Sequence, residues 1–145
     1  MNDRVRVLIL CTGNSARSQM AEGLLAHDGG GRFEVHSAGT HPSAVRPEAI
    51  AALAEVGIDI ASHRSKSVDA FVGETFDYVI TVCDNAKENC PVFPGAAHRL
   101  HHSFDDPAAA AGDDAQRLAE FRRVRDEIRT WLGAFVAEVD ARASS

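Results

Sequence analysis

The chain has 145 residues, 45% of them hydrophobic and 25% charged, which is the size of one domain with an ample core and an ordinary surface. Its net charge of −6 argues against nucleic acid and anionic membranes as partners, so an anionic substrate would need a local positive site. No apolar run approaches the ~18 residues of a membrane span, and the short apolar stretch near Met1 lacks a signal-peptide cleavage site, so a cytoplasmic protein is expected.

Residues 5–10, VRVLIL, are short, apolar and β-branched and predict a buried strand. A polar loop follows to Ser18. From Ser18 a helical pattern begins, with Met20 and Ala21 recurring as Leu24 and Leu25, and Gly29, Gly30 and Gly31 stop it. Residues 33–37 alternate as a second strand. Pro47 suits the first turn of a helix running to about Val56, with Gly57 as its stop. A short helix is expected near residues 67–72, a third strand at residues 78–83 and a fourth at residues 97–100. Asp113 reads as an N-cap with Gln116 three residues on. In the long helix that follows, Leu118, Phe121, Val124, Ile128, Trp131, Phe135 and Val139 recur at spacings of three and four and form one apolar face. Strands alternating with helices imply an α/β fold with a parallel sheet covered on both faces. Ligands bind such sheets beyond the carboxyl ends of the strands, where Cys11 and Cys83 fall.

Three cysteines are an odd number, and a structural disulfide framework is not expected in a reducing compartment. Position therefore decides their role. Cys11 opens the run Cys11-Thr12-Gly13-Asn14-Ser15-Ala16-Arg17-Ser18, between a buried strand and a helix N-terminus. Backbone N–H groups of residues 12–17 converge in such a turn, and the helix dipole adds positive potential. Gly13 and Asn14 tolerate the backbone angles that the curvature needs. Arg17 supplies a planar fork matched to two oxygens of a tetrahedral oxyanion. At the base of this cradle the Cys11 thiolate is stabilised by the same donors, and Ser18 is placed to add a hydrogen bond to the sulfur. An unperturbed thiol is only ~3% ionised at pH 7, and lowering its pKa by about two units makes it mostly thiolate. The residues alone also fit an oxyanion-binding loop beside an inert structural cysteine.

The run Cys11 to Ser18 resembles the Cys-x5-Arg-Ser signature of the low-molecular-weight tyrosine phosphatases and of the arsenate reductases that share their fold. The longer CTGNSARSQMAEG is similar to the reductase version, and the likeness continues through VHSAG, the region around Pro47 to His63, VCDNAKENCP, FDDPA and FRRVRDEI. It covers nearly the whole chain. One departure falls in the loop, where Ala16 occupies a position that often carries a second cysteine outside the reductive relay. The resemblance implies one domain over residues 1–145, a three-layer α/β/α fold with a four-stranded parallel sheet. It also implies no cofactor and no metal, and the chain is expected to act as a monomer.

For activity the resemblance implies reduction of arsenate, with phosphate or sulfate as analogues. Cys11 attacks arsenic; Cys83 then attacks the Cys11 sulfur and releases arsenite; Cys90 attacks Cys83, and the Cys83–Cys90 disulfide is left for thioredoxin. By the same resemblance Asp106 protonates the departing oxygen and its neighbour Asp105 does not. The phosphatase alternative needs two tyrosines after that acid, where Ala108 and Ala109 stand. A non-catalytic oxyanion-binding or redox-sensing module is the other alternative. A zinc site from Cys83, Cys90, His98 and His101 or His102 lacks the spacing of a compact centre.

Some arsenate reductases of this kind hold a potassium ion beside the loop. Asn14, Glu22 and Ser37 match its ligands, but Lys66 stands where the fourth, an aspartate, is expected. The Lys66 ammonium is therefore expected to replace the cation and to satisfy Asn14 and Glu22 directly.

Overall fold

The computed structural model of the protein describes residues 4–83 and 98–143. Four strands, β1 (Val5–Cys11), β2 (Phe33–Gly39), β3 (Tyr78–Thr81) and β4 (His98–His101), form one parallel sheet in the order β2-β1-β3-β4. Among the described residues three α-helices accompany them: α1 (Arg17–Gly29), α2 (Pro47–Ala54) and α3 (Asp114–Ala143). This is the expected α/β architecture, with β1 central.

The sheet is buried because β1 is apolar on both faces. Val7, Leu8, Ile9 and Leu10 are fully buried, as the unbroken hydrophobic run requires of a strand covered on both sides. Phe33 and Tyr78 point to the face that takes α3, where the Phe135 ring meets them at 6.2 and 5.0 Å. His36 points to the other face and packs on Phe71 and Phe76 at 5.4 and 6.2 Å. The expected short helix near residue 70 is a 3-10 turn, Val68–Phe71, capped by Ser67, which accepts from the Asp69 N–H.

The helix signals act as the sequence suggests. Gly30 adopts φ +68° directly after α1, and Gly57 adopts φ +81° after α2. Asp113 and Gln116 form a reciprocal capping box at the start of α3: the Gln116 N–H donates to Asp113 at 2.8 Å and the Asp113 N–H to Gln116 at 2.9 Å. Phe121, Val124, Ile128, Phe135 and Val139 are buried, and Leu132 joins them. Each large side chain so buried contributes about 1.5–3 kcal/mol. Outside that face, arginine–carboxylate pairs fasten α3 to the body: Arg129 to Asp28, Arg122 and Arg125 to Glu55, and Arg117 to Glu48.

Several boundaries shift, and those at Cys11 and Thr81 bear on the site. Cys11 is the last residue of β1, paired with Gly39, rather than the first residue of the loop, and α1 begins at Arg17. The third strand ends at Thr81 rather than at Cys83. Val82 still donates to Leu10 and accepts from Phe104, but β4 has already ended at His101, so the ladder stops and residues 82–83 turn toward the loop. The fourth strand spans His98–His101, one residue beyond the expected end, and Ala97, its expected start, lies outside the described residues.

Candidate active site

The register of β1 and β3 brings the two strand ends to the same edge. Leu10 pairs with Thr81, and the Val82 N–H reaches the Leu10 carbonyl at 2.9 Å. Cys11 and Cys83 are therefore near neighbours there, and both are buried, at 2% and 4% exposure. Thr12 Oγ1 lies 3.3 Å from Cys83 Sγ.

The loop from Cys11 to α1 is held from behind. Thr12, Gly13 and Ser15 carbonyls accept from the N–H groups of His41, Ser43 and Arg46, and the Ser65 hydroxyl donates to the Gly13 carbonyl at 2.7 Å. These bonds turn the carbonyls outward, the orientation that leaves the N–H groups to face a ligand. Asn14 takes φ +46°, the left-handed region that asparagine tolerates. Gly39 lies against the back of the loop. A Cβ there would come within 2.5 Å of the Thr12 carbonyl oxygen and 2.8 Å of the Asn14 nitrogen, so no side chain fits.

Asn14 is fully buried and all its amide valences are used. Its Oδ1 accepts from Gln19 Nε2 at 2.9 Å and from the Lys66 backbone N–H at 2.8 Å. Its Nδ2 donates to Ser18 Oγ at 2.8 Å and to Ser37 Oγ at 2.9 Å. Ser37 passes its own proton to Glu22 at 2.6 Å. Because Ser18 Oγ already accepts from Asn14, its proton is available to Cys11 Sγ at 2.9 Å, where it stabilises a thiolate.

Arg17 stands at the mouth of the loop. It donates to the Phe104 carbonyl at 3.0 Å, and its NH2 is 3.8 Å from Asp106 Oδ2. Asp106 also caps the short turn Pro107–Ala109 by accepting from the Ala108 N–H. Asp105 points elsewhere, to Arg123 on α3 at 3.1 Å, and is mostly exposed. Of the pair, Asp106 is the one turned toward the loop.

Lys66 differs in part from expectation. Its ammonium is 3.7 Å from Glu22 Oε1 and donates to the Arg64 carbonyl at 3.2 Å. Asn14, however, is met by the Lys66 backbone N–H and not by the ammonium: Asn14 Oδ1, the one atom of that amide an ammonium could bond, already accepts from Gln19 Nε2 and from this N–H. Cys90 lies outside the described residues. The three histidines named for zinc are engaged otherwise: His98 stacks on Tyr78, His101 bonds Thr81 and His102 stacks on Phe104. Gln19, His63, Ser65 and Gly39 are the site residues that sequence reasoning missed. Gln19 and Gly39 lie in the quoted runs CTGNSARSQMAEG and VHSAG, and His63 ends the similar region that begins at Pro47, but nothing in those runs singled them out.

Comparison with known proteins agrees with this geometry. Residues 6–145 match the family model described as low molecular weight phosphotyrosine protein phosphatase. An arsenate reductase of Halalkalibacterium halodurans is 46% identical over 135 residues, which are 93% of this chain and 96% of that one. The solved structure of an arsenate reductase in the phosphate binding state aligns with TM-score 0.80 at 34% identity, covering 92% of this chain and 98% of the other. A thioredoxin-dependent arsenate reductase of Corynebacterium glutamicum aligns with TM-score 0.66 at 31% identity, covering 90% of this chain and 61% of that one. With its nucleophile-type loop, its second buried cysteine and these relatives, the chain belongs to the low molecular weight phosphotyrosine protein phosphatase family and, within it, to the arsenate reductases.

Proposed function

We propose that the protein reduces arsenate to arsenite through a thiol relay that begins at Cys11. The observation that carries this reading is a second buried sulfur at the oxyanion loop, with Cys83 against Thr12, the residue next to Cys11. A phosphatase needs only the first sulfur.

The N–H groups of residues 12–17 and the Arg17 fork hold the arsenate oxygens. The Cys11 thiolate attacks As(V); an As–O bond breaks, and the departing oxygen takes a proton from Asp106. Cys83, as thiolate, then attacks the Cys11 sulfur. An S–S bond forms, the S–As bond breaks, and its electron pair reduces As(V) to As(III), which leaves as arsenite. Cys90 attacks Cys83 and releases the Cys11 thiolate. The Cys83–Cys90 disulfide is then reduced by a dithiol protein, with thioredoxin as the proposed reductant.

The test is single-turnover arsenite release from fully reduced protein, followed by thiol counting. Arsenite released with two thiols lost supports the relay. Aryl phosphate hydrolysis with no thiol loss supports a phosphatase instead. Binding without either reaction supports a non-catalytic module. Cys11→Ser is expected to release no arsenite while melting normally, and retained turnover in that variant removes Cys11 as the nucleophile. Cys90→Ser is expected to complete one turnover and trap a Cys11–Cys83 disulfide, whereas a Cys11–Cys90 bond in protein with Cys83 intact reverses the order.

A further inference from the structure

We propose that Arg123 is a positioning residue for the proton donor, tying Asp105 to α3 so that Asp106 is turned onto the oxyanion loop. The proposal rests on Asp106 as the acid of the arsenate reaction.

Arg123 lies among three carboxylates. Its NH2 group is 2.8 Å from Glu120 and 3.1 Å from Asp105, and its NH1 group is 2.6 Å from Glu127. Glu120 and Glu127 are its i−3 and i+4 neighbours on α3, so the helix itself fixes where the guanidinium stands. An isolated exposed ion pair contributes little, because both side chains must be ordered to make it, and a network of charges contributes more. Here the long side chain is already ordered by its helix neighbours, and only the short side chain of Asp105 has to join.

The tie acts on Asp106 through the backbone. Asp106 has extended angles, φ −82° and ψ 106°. Successive side chains of an extended chain point to opposite sides. With Asp105 drawn to α3, Asp106 faces the other way, where Arg17 NH2 is 3.8 Å from its Oδ2. The flanking residues hold the segment in place. Phe104 and Pro107 are buried, the Phe104 ring meets Trp131 of α3 edge-on at 6.4 Å, and the Phe104 carbonyl accepts from Arg17 at 3.0 Å. Those contacts set where the segment sits, and the Asp105–Arg123 pair sets its rotation about the chain. Arg123 acts through Asp105 and Asp106.

The test compares Arg123→Gln, Asp105→Asn and the double variant with the parent protein, each also in an Asp106→Asn background. The readout is the second-order rate constant of arsenite release in a single turnover of fully reduced protein at subsaturating arsenate. Calorimetric titration with phosphate reads anion affinity separately, and melting curves confirm folding. Arg122→Gln, which removes the neighbouring pair with Glu55, is the control and should leave the rate unchanged.

Arg123→Gln and Asp105→Asn are each expected to slow the reaction about threefold, the double variant no more than either alone, and phosphate affinity should not change. In the Asp106→Asn background neither should slow it further. The two single variants remove opposite charges, so a general field effect on the anion would move their rates in opposite directions, whereas loss of the tie moves both the same way. Opposite effects overturn the proposal. So do equal rates in the parent background, additive slowing in the double variant, slowing that persists without the Asp106 carboxyl, or equal slowing by Arg122→Gln. A slowed Asp106→Asn protein beside an unaffected Arg123→Gln protein removes the positioning role and leaves the acid in place. An unslowed Asp106→Asn protein removes the acid assignment and the proposal with it.

Discussion

Thr12 Oγ1 lies 3.3 Å from Cys83 Sγ, so the residue that follows the first sulfur holds the second. A hydroxyl in that place supports Cys83 as it becomes a thiolate for its attack on Cys11.

Thr12→Val keeps the shape and removes the donor. One neutral hydrogen bond is worth about 1 kcal/mol, so arsenite release should slow roughly fivefold. Formation of the Cys11–arsenic adduct should be unchanged, and Thr12→Ser should restore the release step. Rapid-quench measurement of both steps checks this; equal slowing of the two would place Thr12 in oxyanion binding instead.

Arg17→Lys should weaken phosphate binding by roughly 10–100-fold, because an ammonium cannot reproduce a two-point charged fork. Calorimetric titration with phosphate reads this directly. Near-parental affinity would mean that Arg17 stays on the Phe104 carbonyl and never grips the anion.

The two neighbouring aspartates should separate. Asp106→Asn is expected to slow the first chemical step by about 10²–10⁴-fold, the usual contribution of a general acid. Asp105→Asn should do far less, since its carboxylate is tied to Arg123 at 3.1 Å and faces away. Equal effects in single-turnover kinetics would reassign the acid.

With the Lys66 ammonium 3.7 Å from Glu22, exchange of sodium for potassium at constant ionic strength should change neither melting temperature nor turnover. Lys66→Ala should cost about 1–2 kcal/mol, between the values for exposed and buried ion pairs. Activation of the parent protein by potassium would sink this reading of Lys66.

Among the described residues, Asp28, Glu34 and Glu55 are held below their usual range. Glu34 is lowered to about 2 by hydrogen bonds first from Arg6 and then from His36. Asp28 is lowered by Arg129, and Glu55 by Arg122. A carboxylate with a lowered folded-state pKa contributes stability above its unfolded value and loses it as pH falls through the folded value. For Glu34 that window runs from 4.5 down to about 2. Melting temperature should therefore hold near neutral pH and fall across that interval, less steeply in Glu34→Gln. An unchanged slope in that variant would show that the pair contributes nothing measurable.

Much of this was legible in the sequence because it rests on local rules. The apolar run in β1, the glycines after α1 and α2, and the Asp113–Gln116 box each decide their own element. The Cys11 loop was equally legible, since strand, glycine, asparagine and arginine fall at fixed spacings. What stayed hidden depends on contacts across the fold. Gln19 reads as a polar helix residue, and only the approach of Arg64 and His63, more than 40 positions away, shows why it is buried. The Lys66 expectation got the right neighbour in Glu22 but the wrong group for Asn14. Spacing places a residue; it does not say whether its backbone or its side chain makes the bond.

Gly39 gives the loop its shape by having no side chain. The Thr12 carbonyl and the Asn14 nitrogen occupy the volume that any other residue would fill. A single methyl group at this position would act as a wedge, driving the anion cradle off its supporting strand while every reactive atom stayed chemically intact. Position 39 is thus a mechanical stop: its variants would separate damage to the geometry of the cradle from damage to the chemistry of its sulfur.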